Sequence, residues 1–594
     1  MNLRADHIYR TFLRLTRRLS NSQIMMLLAV VVGVLAGVGT YLFEMLLYGI
    51  KYGLTNWFPV DSSHILFLIY PAVGIILATL FVKYIVRDNI SEGVTRVLYA
   101  MSSRNSRIAG HNCWTSIVGG ATTIGFGGSV GPEAPIVLTG AAIGSNVGRI
   151  ARLNYKHTTL LLCCGAGAAL AAIFKAPITG VVFVLEILML DITAGSVIPL
   201  LIASITATTM AFMLRGFDPI LAVTLAPADA FELWQIPLFI LLGVCCGLMS
   251  WYFTSTNLRV STLFKKIDKQ YKKWIVGGTV LGVLIFIFPP LYGEGYEGFT
   301  SLMHGQAEKL FDNSLFYRFS DIDWVVILFV IATMFFKVIA MASTNAAGGV
   351  GGTFAPSLFV GAFTGASIAL LCNAFFDWDV SVVSFTLVGM AGVMSGVMKA
   401  PLTSIFLIAE LTSGYALFVP LMLVSALSFA VGYYLEPYSI YTKKLSQSGE
   451  LLTHNKDRSV LVFLDLKSLV ETDFHPITMN TTLGDVVKLI SSVRRNIFPV
   501  VSRDGTLLGV VQLDDLRADM FDTGKYGTTI DNYMIPPPEQ IYPNEQIGSV
   551  LKAFEESKAW MLPVVTKENK YVGFISKSRI LAAYREQLIA ISEE

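Results

Sequence analysis

Glu133 stands inside Phe126–Gly144, FGGSVGPEAPIVLTGAAIG, the stretch of this chain with most chemistry to offer. A Gly-rich loop that ends in Ala134-Pro135 and opens an apolar helix presents backbone N–H groups and the positive end of a helix dipole to an anion. The same arrangement returns at Gly348–Gly365, GGVGGTFAPSLFVGAFTG. An offset of 221 residues lays Gly127 on Gly348, Gly131 on Gly352, Ala134 on Ala355, Pro135 on Pro356 and Gly144 on Gly365. It also sets Phe354 opposite Glu133. Two such helix ends inside a bilayer make an anion site, and an acid in only one of them makes a gate. The expected anion-binding positions are Gly131, Pro132 and Ala134 in the first copy and Thr353, Phe354 and Ala355 in the second. An ionisable group at membrane depth costs at least ~2.5 kcal/mol on the lenient insertion scale, so its retention points to function.

These residues need broken helices to hold them. Apolar segments long enough to span run near 24–50, 66–86, 196–214, 234–255, 275–290, 323–342 and 415–435. Shorter, Gly- and Pro-interrupted pieces fall near 113–125, 134–150, 159–172, 177–190, 356–373, 383–396 and 401–411. A full crossing takes about 20 apolar residues, and a half-crossing helix is tolerated only where its freed backbone is buried in protein or lines a cavity. A second repeat, at an offset of 224, matches Phe174–Glu186, FKAPITGVVFVLE, with Met398–Glu410, MKAPLTSIFLIAE. It pairs Lys175 with Lys399, Pro177 with Pro401, Thr179 with Thr403 and Glu186 with Glu410. Recurrence at one repeat position favours a structural role for the two glutamates, bonded to Lys or to backbone. Duplicated broken helices in corresponding halves point to a central transport site.

Composition agrees. The 594 residues are 54% hydrophobic and 14% charged, with mean hydropathy +0.61, which fits a polytopic membrane protein with a modest soluble part. The net charge of +2 comes with no basic stripe beside aromatic residues, which excludes nucleic acid as a partner. The six cysteines lie in apolar or small-residue stretches with no zinc spacing and no disulfide framework, and read as small buried residues. Among the seven histidines none forms the H-E-x-x-H pair of a membrane metalloprotease, so no enzyme, catalytic residue or metal site is expected. A magnesium transporter would need carboxylate oxygens rather than helix N-termini. Arg4, Arg10, Arg14, Arg17 and Arg18 precede the first apolar run, and Lys265, Lys266, Lys269, Lys272 and Lys273 fill one loop. The positive-inside rule puts both in the cytoplasm.

From about Leu445 charge rises, and Val/Ile-rich strands alternate with polar helices. Phe498–Gly509 matches Leu562–Gly573 at an offset of 64, with Asp504-Gly505 and Glu568-Asn569 as hairpin turns.

Taken together, these motifs resemble the CLC family of chloride channels and proton-coupled chloride exchangers, and the tail resembles a pair of CBS domains. The resemblance implies an all-α polytopic membrane domain of inverted repeats and half-crossing helices, followed by a cytosolic α/β tandem CBS domain. The expected division is a cytoplasmic segment 1–22, an anion-transport domain 23–445, a linker 446–468, and CBS domains at 469–525 and 526–594. It further implies a homodimer in a bacterial inner membrane, chloride as ligand, protons as the second ion, and no required cofactor. The family's G-x-E-G-P reads Gly131-Pro132-Glu133-Ala134-Pro135, its G-x-F-x-P reads Gly352-Thr353-Phe354-Ala355-Pro356, and its pathway tyrosine is Tyr441. Two departures stand out. The G-S-G-I-P segment aligns with Ser91-Glu92-Gly93-Val94-Thr95, so Glu92 replaces the anion-coordinating serine; it is either a loop residue without a role or a substitute proton relay. The inner proton-transfer acid is replaced by Ile187. Proton-coupled exchange gated by Glu133 is the leading expectation, and a passive voltage- or ligand-gated chloride channel of the same architecture is the alternative. In the tail, Asp515 stands where CBS pairs often hold a ribose, so adenine nucleotide is the expected ligand if one binds there.

Overall fold

A computed structural model describes residues 19–56, 66–91, 93–103, 106–188, 194–217, 231–312, 314–319, 322–376, 378–412, 414–443, 466–493, 495–545 and 547–593. The chain divides at Leu451/Leu452 into two compact units. Glu92 lies outside the described residues, as do the arginines of the N-terminal segment.

In the first unit, helices α1 (Asn21–Asn56), α2 (Leu66–Leu80, continued by one π-helical turn to Val86), α3 (Gly93–Ser103), α4 (Asn112–Gly125), α5 (Glu133–Ile150), α6 (Tyr155–Phe174), α7 (Pro177–Glu186) and α8 (Ala194–Arg215) form one half. The other half is α9 (Ile236–Lys265), α10 (Gln270–Ile287), α11 (Tyr296–Met303), α12 (Asp323–Ala347), α13 (Phe354–Phe376), α14 (Val382–Met398), α15 (Pro401–Leu411) and α16 (Phe418–Leu435). Each packing in the first half recurs eight helices later. α1 lies on α8 as α9 lies on α16, α5 on α6 as α13 on α14, and α6 on α8 as α14 on α16. Across the halves, α2 meets α10, α7 meets α15 and α5 meets α13. Eight helices among the described residues are long and apolar enough to cross a membrane, and the protein is an integral, multi-pass membrane protein. Two of the pieces expected to be short are longer than that: α6 and α13 run 20 and 23 residues. Polar Lys156, His157 and Thr158 fit into the first turn of α6, and Pro356 is tolerated in the first turn of α13, where a missing N–H breaks no hydrogen bond.

Small residues set how closely these helices pack. A Cβ on Gly140 would lie 2.1 Å from the Gly165 carbonyl, and one on the equivalent Gly361 would lie 2.4 Å from that of Gly389. Side chains there would drive α5 from α6 and α13 from α14, which is the small-residue packing expected without a hydrophobic drive between helices. Lys175 and Lys399 close α6 and α14 in left-handed backbone, and Pro177 and Pro401 start the next helices at once.

The second unit contains two β-hairpins. β1 (Ile497–Val501) pairs with β2 (Leu507–Gln512), and β3 (Met561–Val565) with β4 (Tyr571–Ser576), each antiparallel with a bulge at the same repeat position. Gly505 and Asn569 take positive φ at the expected turns. Single bridges join the copies: Glu471 to Phe574 and Val510 to Ile535, while Thr506 faces Lys570 on the local two-fold. Helices α17 (Leu466–Leu469), α18 (Leu483–Ser492), α19 (Leu513–Leu516), α20 (Ile547–Ser557) and α21 (Lys577–Glu593) accompany the hairpins.

Candidate functional site

The two Gly-rich loops meet back to back. Gly127 and Gly348, both at positive φ, turn the chain out of α4 and α12. Thr123 on α4 then accepts the Val350 N–H at 3.0 Å, and its counterpart Thr344 on α12 accepts the Ser129 N–H at 3.3 Å. At the centre Gly131 donates to the Gly352 carbonyl at 3.0 Å, and Gly352 donates to that of Gly131 at 2.7 Å. This antiparallel bridge requires the loops to run in opposite directions, as an inverted repeat does.

Symmetry breaks one step further on. Glu133, the first residue of α5 and almost fully buried, sends Oε1 across the interface. That oxygen accepts the N–H of Phe354 at 2.5 Å and of Ala355 at 3.3 Å, capping α13 with the acid of the other half. Phe354 cannot return the bond; its ring stacks on Phe174 at 5.3 Å between centroids. The glycines make this geometry accessible, since a Cβ on Gly352 would sit 2.1 Å from Oε1 and one on Gly131 would sit 2.1 Å from Oε2. Oε2 itself is buried without a partner. So a carboxylate occupies the positive end of α13, where any anion of similar size would compete with it.

Beside it lies a cavity of about 100 Å³ bordered by Ser91, Ala134, Gly352, Thr353 and Tyr441. The buried hydroxyls of Thr353 and Tyr441 have at most each other as partner, which leaves donor capacity for an occupant. Ser91 turns its hydroxyl to Asn89 Oδ1 at 2.7 Å. Of the residues expected from the sequence, Gly131, Pro132, Glu133, Ala134, Thr353, Phe354, Ala355 and Tyr441 thus converge on one place. Ile187 is packed in the apolar core at the end of α7, donating its N–H to Phe183 at 2.9 Å, and brings no titratable group.

The second repeat resolves into exchanged caps. Glu186 at the end of α7 accepts the N–H groups of Leu402 and Thr403 at 2.9 and 2.7 Å. Glu410 on α15 accepts those of Ile178 and Thr179 at 2.9 and 2.8 Å. Both therefore bond to backbone of the opposite half.

Sequence reasoning missed several groups. Asn345 borders the cavity with a buried, unpartnered Oδ1, and Asn257 and Ser261 of α9 line it too. Lys337 is wholly buried on α12, donating to the Gly293 and Leu291 carbonyls at 2.9 and 3.5 Å beneath the Phe359 ring. The offset of 221 places it opposite Ser116, an unmatched buried charge in the second half as Glu133 opposite Phe354 is in the first. A charge inside an apolar run was the available signal.

In the second unit Asp515 is exposed and accepts the Gln512 N–H at 3.2 Å, capping α19. Arg495 bonds both Asp473 and Glu471, whose carboxylate also accepts the Ser576 hydroxyl at 2.6 Å.

The profile of the voltage gated chloride channel family matches residues 73–433, and that of the CBS domain matches 466–522 and 530–586. A putative chloride channel protein, ClcB-like, of Ralstonia nicotianae is 27% identical over 389 residues, covering 64% of this chain and 86% of its own. The H(+)/Cl(-) exchange transporter ClcA of Vibrio cholerae is 26% identical over 436 residues, 71% of this chain and 89% of its own. A crystal structure of a slow cyanobacterial Cl-/H+ antiporter shares the fold, with a TM-score of 0.60 at 22% identity, over 71% of this chain and 97% of that one. None of these relatives is an enzyme. With the family profile matching more than half of its length around two interlocked helix N-termini, this chain belongs to the voltage gated chloride channel (CLC) family and carries two CBS domains.

Proposed function

We propose that this protein exchanges chloride, or a related small anion, for protons, with Glu133 as the gate both ions share. The observation that carries the reading is the Glu133 carboxylate seated on the Phe354 and Ala355 N–H groups, with its second oxygen unpartnered. A carboxylate and an anion want the same donors and cannot hold them together. Protonating Glu133 cancels the charge that keeps it on α13, the side chain leaves, and an anion takes its place. The Tyr441 and Thr353 hydroxyls and the Ala134 end of α5 receive the anion in the adjoining cavity. Each proton carried by Glu133 is thereby tied to anion movement, as in relatives named H(+)/Cl(-) exchange transporters.

The second reading, a passive channel, is favoured by one observation: apolar Ile187 stands where an inner proton-transfer acid is expected. Glu92 is then the remaining candidate for that proton. Reversal potential in reconstituted vesicles under a pH gradient separates the two, because it moves with pH for an exchanger and stays at the anion potential for a channel. In Glu133→Gln the pH response disappears and anion flux persists at alkaline pH. The working unit is a homodimer in the bacterial inner membrane, with the N-terminus and tail cytoplasmic, and the tail offers Asp515 to an adenine nucleotide.

A further inference from the structure

Lys337 has no part in the pathway described above, yet it is among the most deeply buried side chains of the protein. A buried ammonium is costly unless its N–H groups find acceptors, and an ionisable group kept at membrane depth points to function. Its acceptors here are backbone: the Gly293 carbonyl at 2.9 Å and the Leu291 carbonyl at 3.5 Å, with the Phe359 ring 4.8 Å away. Both carbonyls belong to the short stretch Leu291-Tyr292-Gly293 between α10 and α11.

The other side of that stretch grips the loop that leads into Glu133. The Ser129 hydroxyl donates to the same Leu291 carbonyl at 2.7 Å. The Gly293 N–H donates to the Gly127 carbonyl at 3.3 Å, and the Tyr292 hydroxyl donates to that of Gly125 at 3.3 Å. Gly127 and Gly293 both take positive φ, and a Cβ on Gly127 would run into the Tyr292 ring. Residues 291–293 thus form a strap, with Lys337 on one side and the loop Gly127–Gly131 on the other. Beyond Ser129 the loop reaches Gly131, bonded to Gly352, and then Glu133. Every link from Lys337 to the gate is a hydrogen bond or a peptide bond.

We propose that Lys337 is a positioning residue for the gate. Through the Leu291 and Gly293 carbonyls it holds the Gly127–Gly131 loop at the place from which Glu133 reaches the N-terminus of α13. The inference rests on Glu133 being the gate. Without the ammonium the Gly293 carbonyl loses its donor, the strap loosens and the loop follows. Glu133 then holds the Phe354 and Ala355 N–H groups for less of the time, and anions pass without a proton.

Two measurements on the full-length protein test this. Amide hydrogen exchange in detergent reads the loop directly. In Lys337→Met the amides of 127–131 should exchange about tenfold faster or more, a local opening that leaves those of α6 and α14 unchanged. Lys337→Arg, which keeps the charge and its donors, should restore the parental pattern. In vesicles under a pH gradient, the reversal potential of Lys337→Met and of Ser129→Ala should shift from the parental value toward the anion potential. The two side chains share an acceptor, so the double variant should shift little further than the larger single one. Parental amide exchange over 127–131 in Lys337→Met overturns the proposal, and so does faster exchange spread evenly over the membrane unit. Shifts that simply add, or an unmoved potential in a parent that responds to pH, overturn it too. Should Lys337→Met fail to fold, Ser129→Ala alone must show the loosened loop, and a parental pattern there is fatal. A parent whose potential ignores the pH gradient removes the exchanger reading instead, and the amide data still decide the role of Lys337.

Discussion

At the scale of single residues, the candidate site is marked by buried polar atoms with few partners. Buried hydroxyls normally find partners, and those of Tyr441 and Thr353 have at most each other. The Tyr441 hydroxyl therefore contributes little to the folded state through hydrogen bonding, and its donor is available to an occupant. Tyr441→Phe should unfold at the same temperature as the parent. Its anion affinity, measured by titration calorimetry on solubilised protein, should fall roughly tenfold or more, since hydrogen bonds to charged groups contribute about 1.5–3 kcal/mol. Glu133 and its N–H partners were legible as types at a spacing. Which N–H groups the carboxylate takes was not, because they lie 221 and 222 positions away.

Elements are joined by exchange between the halves. α7 and α15 are short helices whose first N–H groups have no partners of their own, and each is capped by a carboxylate from the end of the other. The cap is bidentate on backbone and gains a threonine hydroxyl, Thr179 for Glu410 and Thr403 for Glu186. Glu186→Ala should lower stability by about 2 kcal/mol, and Glu410→Ala by a similar amount, as lost charged caps do. Thermal unfolding in detergent checks this, and anion affinity should be unchanged in both. The repeat made a structural role legible from letters alone, because two equivalent glutamates do not both belong to one asymmetric pathway. The lengths of α6 and α13 were underestimated because Gly, Ala and Thr in a crowded interior lower apparent hydropathy without breaking a helix.

The whole molecule repeats one design twice. A local two-fold relates α1–α8 to α9–α16, and another relates the two copies in the tail. In the tail, Arg495 of the first copy holds Glu471, which bridges to Phe574 of β4 in the second. The same guanidinium, by hydrogen bonding to Asp473, holds that carboxyl below its ordinary 3.8. A carboxylate depressed in the folded state stabilises it above the unfolded pKa, and that contribution is lost as pH falls through the folded value. The tail should thus lose Asp473-linked stability only below about pH 4. Asp473→Asn should show less acid sensitivity there, read by thermal unfolding across pH 2–6.

Spacing and composition by themselves determined the class of protein, both internal repeats, the tail hairpins and the residue types of the site. All of these are local or periodic properties, visible in one window or by sliding one window on another. Only the tertiary structure decided which atoms meet. The two-fold lays Gly131 on Gly352 and brings Glu133 to the N-terminus of α13, while packing sets Lys337 against the Gly293 carbonyl. Such meetings follow from how opposed helices pack around a shared axis, a constraint carried by the whole chain and by no single stretch of it.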